Sequence, residues 1–189
     1  MAAGIGARQT LSVRTQRVFF ALWPDVRVRT ELAQAAQRMH RVSHGRRTRD
    51  DSIHLTLAFV GEVGVEHLPR LLAPPRGAFT PAFLLTLDDW GCWARIGIGW
   101  TAPSQIPAPL RNLAANLEAW LRGAGFELAH RPFTPHVTLV RKAQCAPLPD
   151  FMAPVEWRVD DFVLVRSTAS PDGARYQTIG RWPLLDPEA

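Results

Sequence analysis

The sequence predicts an α+β protein with antiparallel or mixed sheets, on three observations. Short apolar runs with strand periodicity alternate with two amphipathic helical patterns. Hairpin-like pairs of strands follow one another without long crossovers. No G-x-G-x-x-G or P-loop signature accompanies any strand, which argues against a doubly wound parallel sheet.

The elements follow in order. Residues 1 to 16 contain two arginines, no carboxylate and several small residues, and read as a flexible N-terminal extension ahead of a domain spanning 17 to 185. The run VFFALW from Val18 reads as a strand closed by Pro24 and Asp25, which open a helix with Val28, Leu32, Ala35 and Met39 on one stripe. Arg38, Arg41, Arg46, Arg47 and Arg49 then crowd a loop read mainly as solvated surface. Ile53 to Val60 is a strand stopping at Gly61, and a short helix is expected between Glu66 and Leu72. Phe83, Leu85 and Leu87 alternate in one strand, and Ala94, Ile96, Ile98 and Trp100 in another, with DDWGCW read as the turn between them. Pro107 and Pro109 open a second long helix carrying Leu110, Leu113, Leu117 and Leu121 on one face, ended by Gly123 or Gly125. Strands are expected from His136 to Val140, Val159 to Arg166 and Arg175 to Trp182, the last two joined by SPDG.

Composition bounds the function. The chain has 189 residues, 47% of them hydrophobic, which is enough for a real core, and a mean hydropathy of −0.07 with no 18-residue apolar run. A membrane span is excluded, and a soluble protein in a reducing compartment is expected. Cys92 and Cys145 are too few for a disulfide framework and lack C-x-x-C spacing, so they are read as two half-buried thiols with no chemistry. The net charge of +5 rests almost wholly on arginine, Lys142 being the single lysine. Arginine's planar fork suits phosphate, so the charge points to an anionic partner.

The strongest signal is an internal echo. His54-Leu55-Thr56-Leu57 recurs as His136-Val137-Thr138-Leu139. Strand side chains alternate with period two, so each tetrad presents one imidazole and one hydroxyl on a single face. A single such pair is an accident of an amphipathic strand; its repetition favours function. No carboxylate lies in either tetrad, which disfavours a metal site, and no serine or cysteine nucleophile accompanies either histidine. General acid–base catalysis needs only what is present, because histidine titrates near neutrality and two imidazoles can hold opposite protonation states across a phosphorus atom.

The tetrads, with FFALWP near the start, HLTLAFVGEV around the first, RPFTPHVTLVR around the second and ARYQTIGRW late in the chain, resemble the 2H phosphoesterases. Within that superfamily they are most similar to the RNA 2',3'-cyclic phosphodiesterases, also called 2'-5' RNA ligases, over Arg17 to Leu184. The resemblance implies one bilobal, pseudo-symmetric catalytic domain, in which two antiparallel sheets with flanking helices surround a cleft with one tetrad on each side. It implies hydrolysis of an RNA terminal 2',3'-cyclic phosphate to the 2'-phosphomonoester with no metal or other cofactor, and reversible 2'-5' ligation of tRNA-half-like ends in some relatives. It makes His54 the proton donor to the departing 3' oxygen and His136 the acceptor from water.

Thr56 and Thr138 are then hydrogen-bond donors to the phosphoryl group, and Arg141 supplies charge. Simple alternation sends Arg141 to the face opposite His136, so its participation requires the strand to end, twist or bulge by Val140. Phe20, Phe59 and Tyr176 are candidates to stack on RNA bases. The partner is thus an RNA 3' end; no membrane and no obligate protein partner are implied, and a cytoplasmic location is expected. Other 2H substrates, such as 2'-5'-linked oligonucleotides or small cyclic nucleotides, and a non-catalytic RNA-end binding module remain as alternatives.

Overall fold

A computed structural model describes residues 14–74, 79–145, 147, 153–171 and 173–185. Its first strand, β1 (Thr15–Leu22), begins two residues inside the stretch read as an extension; residues 1–13 lie outside the described residues. The continuous apolar text of β1 reflects burial on both sides. Val18, Phe20 and Leu22 enter the main core, while Phe19 and Ala21 join Val163 and Val165 in a smaller cluster on the opposite face.

The remaining elements are α1 (Val26–Ser43), β2 (Arg46–Arg47), β3 (Leu55–Gly64), α2 (Leu68–Leu71), β4 (Phe83–Leu87), β5 (Asp89–Trp93), β6 (Ile98–Ala102), α3 (Ala108–Gly123), β7 (Val137–Arg141), β8 (Val155–Val159), β9 (Asp161–Thr168) and β10 (Arg175–Pro183). Helix α1 is capped by Asp25, whose carboxylate accepts from the Val28 amide at 2.8 Å, and it buries Val28, Leu32, Ala35 and Met39 as the sequence spacing requires. Helix α3 buries Leu110, Leu113, Leu117 and Leu121.

The strands run in the order β10-β9-β1-β3-β7-β6-β5, with β2 beside β7; β4 and β8 form a separate pair, and every ladder is antiparallel. The long sheet is two leaflets with a narrow join. Strands β3 and β7 pair through one residue couple, Leu55 opposite Val137, and these are the second residues of the two tetrads. Helix α1 packs beneath β7 and helix α3 beneath β3, so each helix covers the strand of the other half.

Four expectations are corrected. DDWGCW is not a turn, since its last five residues are the whole of β5; the reversal comes later, at residues 94–97, where Gly97 has φ of 61°. Strand β3 does not stop at Gly61, which adopts φ of 92° within a strand that runs on to Gly64. Val159 ends β8, a strand the sequence reading missed, rather than beginning β9. Cys92 and Cys145 are not unpaired thiols: they form a disulfide with Cα atoms 5.5 Å apart. The 53-residue spacing carried no hint of it, because the contact is made by the sheet edge meeting the chain beyond β7. Among the described residues, no helix is long and apolar enough to cross a membrane.

Candidate active site

The join between the leaflets sets the geometry of the tetrads. Extending the antiparallel register one residue to either side of Leu55–Val137 sets His54 opposite Thr138 and Thr56 opposite His136. On that register each histidine stands across from the threonine of the other motif, which relates the two tetrads by a local pseudo-twofold axis.

Both strands bulge immediately afterwards. On β7, Gly99 pairs with Val140 and Trp100 with Thr138, so Leu139 is the extra residue; it and Val140 are both buried, and Arg141 returns to the face of Thr138. The Thr48 amide takes the Leu139 carbonyl at 2.8 Å. On β3, Phe20 pairs with Ala58 and Ala21 with Thr56, so Leu57 is the extra residue and Phe59 returns to the face of Thr56. Arg141 and Phe59 are thus equivalent positions, five residues after each histidine, and both line the cleft.

The cleft has a volume of about 860 Å³. Its wall includes His54, Thr56, Thr138, Arg141, Phe59 and Tyr176, together with Arg17, Arg46, Arg47, Arg49 and Arg166. Among the described lining residues, Glu62 is the one carboxylate. The arginines at 46, 47 and 49, read from sequence mainly as solvated surface, are brought to the cleft because β2 pairs with the end of β7, Arg46 opposite Arg141. His136 is not on this wall; its ring stands beside Trp93, with centroids 4.6 Å apart and nearly perpendicular planes.

The two imidazoles are held alike. His54 Nδ1 lies 2.8 Å from the Ser52 carbonyl and His136 Nδ1 lies 2.8 Å from the Thr134 carbonyl. A carbonyl only accepts, so each Nδ1 carries the proton, and Nε2 is the atom left to exchange one. Trp23 stacks on His54 at 5.3 Å with planes 4° apart, Phe19 lies 5.0 Å away, and Tyr176 meets the ring edge-on at 5.2 Å. Burial among these rings, with lesser help from the charges of Arg141 and His136, pushes the His54 pKa down from 6.5 to about 4, against the raising effect of the Ser52 bond. His136 is also held below its ordinary value, first by burial and then by Arg141, while the bond to Thr134 pulls the other way.

One candidate lies elsewhere. Phe20 is fully buried in the main core against Trp120, Phe162 and Trp182, so it cannot meet a ligand; alternation gives the cleft face to its neighbour Phe19. Phe59 is 47% exposed, with the Arg17 guanidinium 4.8 Å over its ring. Tyr176 packs against His54, Phe19 and Trp23. The sequence reading missed Trp23 and Trp93. Trp23 was legible from its position, two residues after Ala21 and four after Phe19, where it continues their alternation just past the end of β1; Trp93 was hidden in the segment read as a turn.

The duplicated geometry has a counterpart in the comparison with known families. The family described as LigT-like phosphoesterase matches the chain twice, over residues 22–100 and 101–176, with one tetrad in each match. The chain belongs to the LigT-like phosphoesterase family. It is 35% identical over 172 residues to an RNA 2',3'-cyclic phosphodiesterase of Escherichia coli K12, covering 89% of this chain and 97% of that one. It is 31% identical over 178 residues to the protein of that name from Thermus thermophilus, covering 89% and 90%. The crystal structure of E. coli LigT complexed with 3'-AMP superimposes with a TM-score of 0.81 at 34% identity, over 92% of this chain and all of that one. The LigT-like match accounts for the bilobal α+β architecture, its two leaflets being the two antiparallel sheets expected around the cleft.

Proposed function

We propose that this LigT-like phosphoesterase hydrolyses the terminal 2',3'-cyclic phosphate of RNA to a 2'-phosphomonoester, without a metal ion, by acid–base catalysis between His54 and His136. The observation that carries the reading is the crossed pair of tetrads: two imidazoles with Nδ1 tied to backbone carbonyls and Nε2 free, each across from the other motif's threonine. The names of the relatives supply the substrate class.

In this reaction His136 Nε2 takes a proton from the water that attacks phosphorus. The bond from phosphorus to the 3' oxygen breaks, and His54 gives that oxygen a proton. Each transfer contributes about 10²- to 10⁴-fold in rate. The Thr56 and Thr138 hydroxyls donate to the phosphoryl oxygens and Arg141 offsets the growing negative charge. Both histidines are neutral near pH 7 in the ligand-free protein, because each sits below its ordinary pKa. An anionic cyclic phosphate between them reverses the penalty on the charged form, so His54 acquires its proton as the substrate binds.

The cleft arginines hold the RNA backbone and the Phe59–Arg17 stack offers a platform to a base, which suits tRNA-half-like ends among other RNA fragments. With a 5'-hydroxyl in place of water, the same pair joins two ends through a 2'-5' linkage as the reverse of cleavage. With RNA as substrate, the proposed location is the cytoplasm. A second reading, action on small nucleotides, draws on the E. coli relative having been crystallised with 3'-AMP.

The test is incubation of the protein, in EDTA, with a short RNA ending in a 2',3'-cyclic phosphate. A 2'-phosphate product is expected. A 3'-phosphate product overturns the roles assigned to the histidines, loss of activity in EDTA overturns metal independence, and turnover confined to cyclic mononucleotides favours the second reading.

A further inference from the structure

The two histidines are supported unequally. His54 packs against three rings: Phe19 on the central strand β1, Trp23 just beyond it, and Tyr176 on β10 at the far edge of the sheet. His136 ends a segment, residues 126–136, that forms neither helix nor strand, and the ring packed on it is Trp93. Trp93, the one ring on His136 among the described residues, is the last residue of β5, an edge strand of the sheet that pairs with β6 alone. An edge strand is held on one side only and frays more readily than a central one.

The residue before Trp93 is Cys92, and its disulfide to Cys145 ties this edge to the chain just beyond β7, the strand that starts next to His136. The same seam is closed by the Ala143 amide donating to the Gly97 carbonyl at 2.9 Å and the Gln144 amide donating to the Ser43 carbonyl at 2.7 Å. Cys145 is exposed to solvent and Cys92 is half-buried, so a small thiol can reach the bond from the Cys145 side.

We infer that Trp93 is a positioning residue for His136 and that the Cys92–Cys145 disulfide holds Trp93 in place, so that turnover responds to dithiol reductants. The inference rests on the two-histidine reaction proposed above. A dithiol breaks the Sγ–Sγ bond by passing two electrons and two protons to the cysteines; two thiols form and the dithiol closes to its own cyclic disulfide. Freed from the tie, β5 moves relative to β7, Trp93 no longer fixes the ring plane of His136, and water reaches the imidazole. The other charged or titratable neighbours of His136, Arg141 on β7 and His54 ahead of β3, are not part of the tie and stay in position.

The experiment compares the oxidised full-length protein with the same protein after dithiol treatment, thiols being counted in both. No free thiol before treatment and two after are expected. On cyclic-phosphate RNA, kcat is expected to fall about tenfold on reduction with KM little changed, as for a displaced catalytic group. The Cε1 proton resonance of His136, followed by NMR without substrate, is expected to titrate higher after reduction, as burial is relieved. Cys145→Ser should behave as the reduced protein and ignore dithiol. Trp93→Ala should match it, and Trp93→Phe should restore most of the rate. Two free thiols before treatment, or a His136 titration unmoved by reduction, overturns the inference whatever the substrate proves to be. An NMR shift with no turnover of this RNA instead counts against the proposed reaction and leaves the positioning role standing.

Discussion

His54 carries the clearest physical signature of any single residue: an imidazole half-buried against three aromatic rings at the cleft wall, with one nitrogen committed to the Ser52 carbonyl. In the ligand-free protein its NMR titration is expected near pH 4, and a bound phosphate anion is expected to move it upward; a midpoint near 6.5 with no response to phosphate would contradict the burial argument. The two histidines and two threonines were legible in the sequence because a period-two pattern repeated. The side chains that tune them were not. Trp23 and Trp93 reach the imidazoles through packing between strands distant in sequence, and Phe20 was mistaken for a ligand contact because two adjacent phenylalanines on one strand look alike until their faces are known.

At the scale of elements, the bulges after each tetrad decide which residues join the site. Alternation alone placed Arg141 on the wrong face, and the sequence could state only the condition for its return; Leu139 meets that condition on β7, as Leu57 does for Phe59 on β3. The β7 bulge is flanked by β2, whose position depends on Gly45. That glycine has φ of 76°, and a Cβ there would stand 2.6 Å from the carbonyl oxygens of Arg141 and Lys142. Gly45→Ala is therefore expected to lower stability by about 1 to 3 kcal/mol and to raise KM by displacing Arg46 and Arg141. Thermal unfolding and steady-state kinetics check this, and a variant with unchanged midpoint and KM would show that β2 does not fix the arginines. The turn misread in DDWGCW has the same kind of cause. Gly91 sits at the middle of a strand, packed under the Trp100 ring, and a glycine among aromatics reads as a turn until its partner strand is known.

Across the whole molecule, α1 lies under the second tetrad's strand and α3 under the first's, so neither half buries its own core without the other. Heat unfolding is expected to give one cooperative transition in calorimetry; two resolved transitions would mean the leaflets fold separately. The same molecule should lose stability in mild acid. The folded-state pKa of His54 lies below 6.5, so as pH falls through the window from 6.5 to about 4 the unfolded chain binds the proton first. The stability present above pH 6.5 is thus lost toward pH 4, by an amount on the order of 3 kcal/mol. Denaturant titrations at pH 7 and pH 4.5 measure it, and His54→Gln should lessen the slope. The α+β class and both long helices were readable from periodicity and the repeat from the echoed tetrads, while the bilobal arrangement followed from the family resemblance. The disulfide and the swapped placement of the helices were not, since both depend on how the two halves dock.

The most direct test of the central claim, that the crossed histidines carry the chemistry, is turnover of cyclic-phosphate RNA by His54→Ala and by His136→Ala. Each is expected to lose at least about 10² in kcat while keeping the native circular dichroism and cooperative melt. A folded variant of either kind turning over at the wild-type rate would contradict the account.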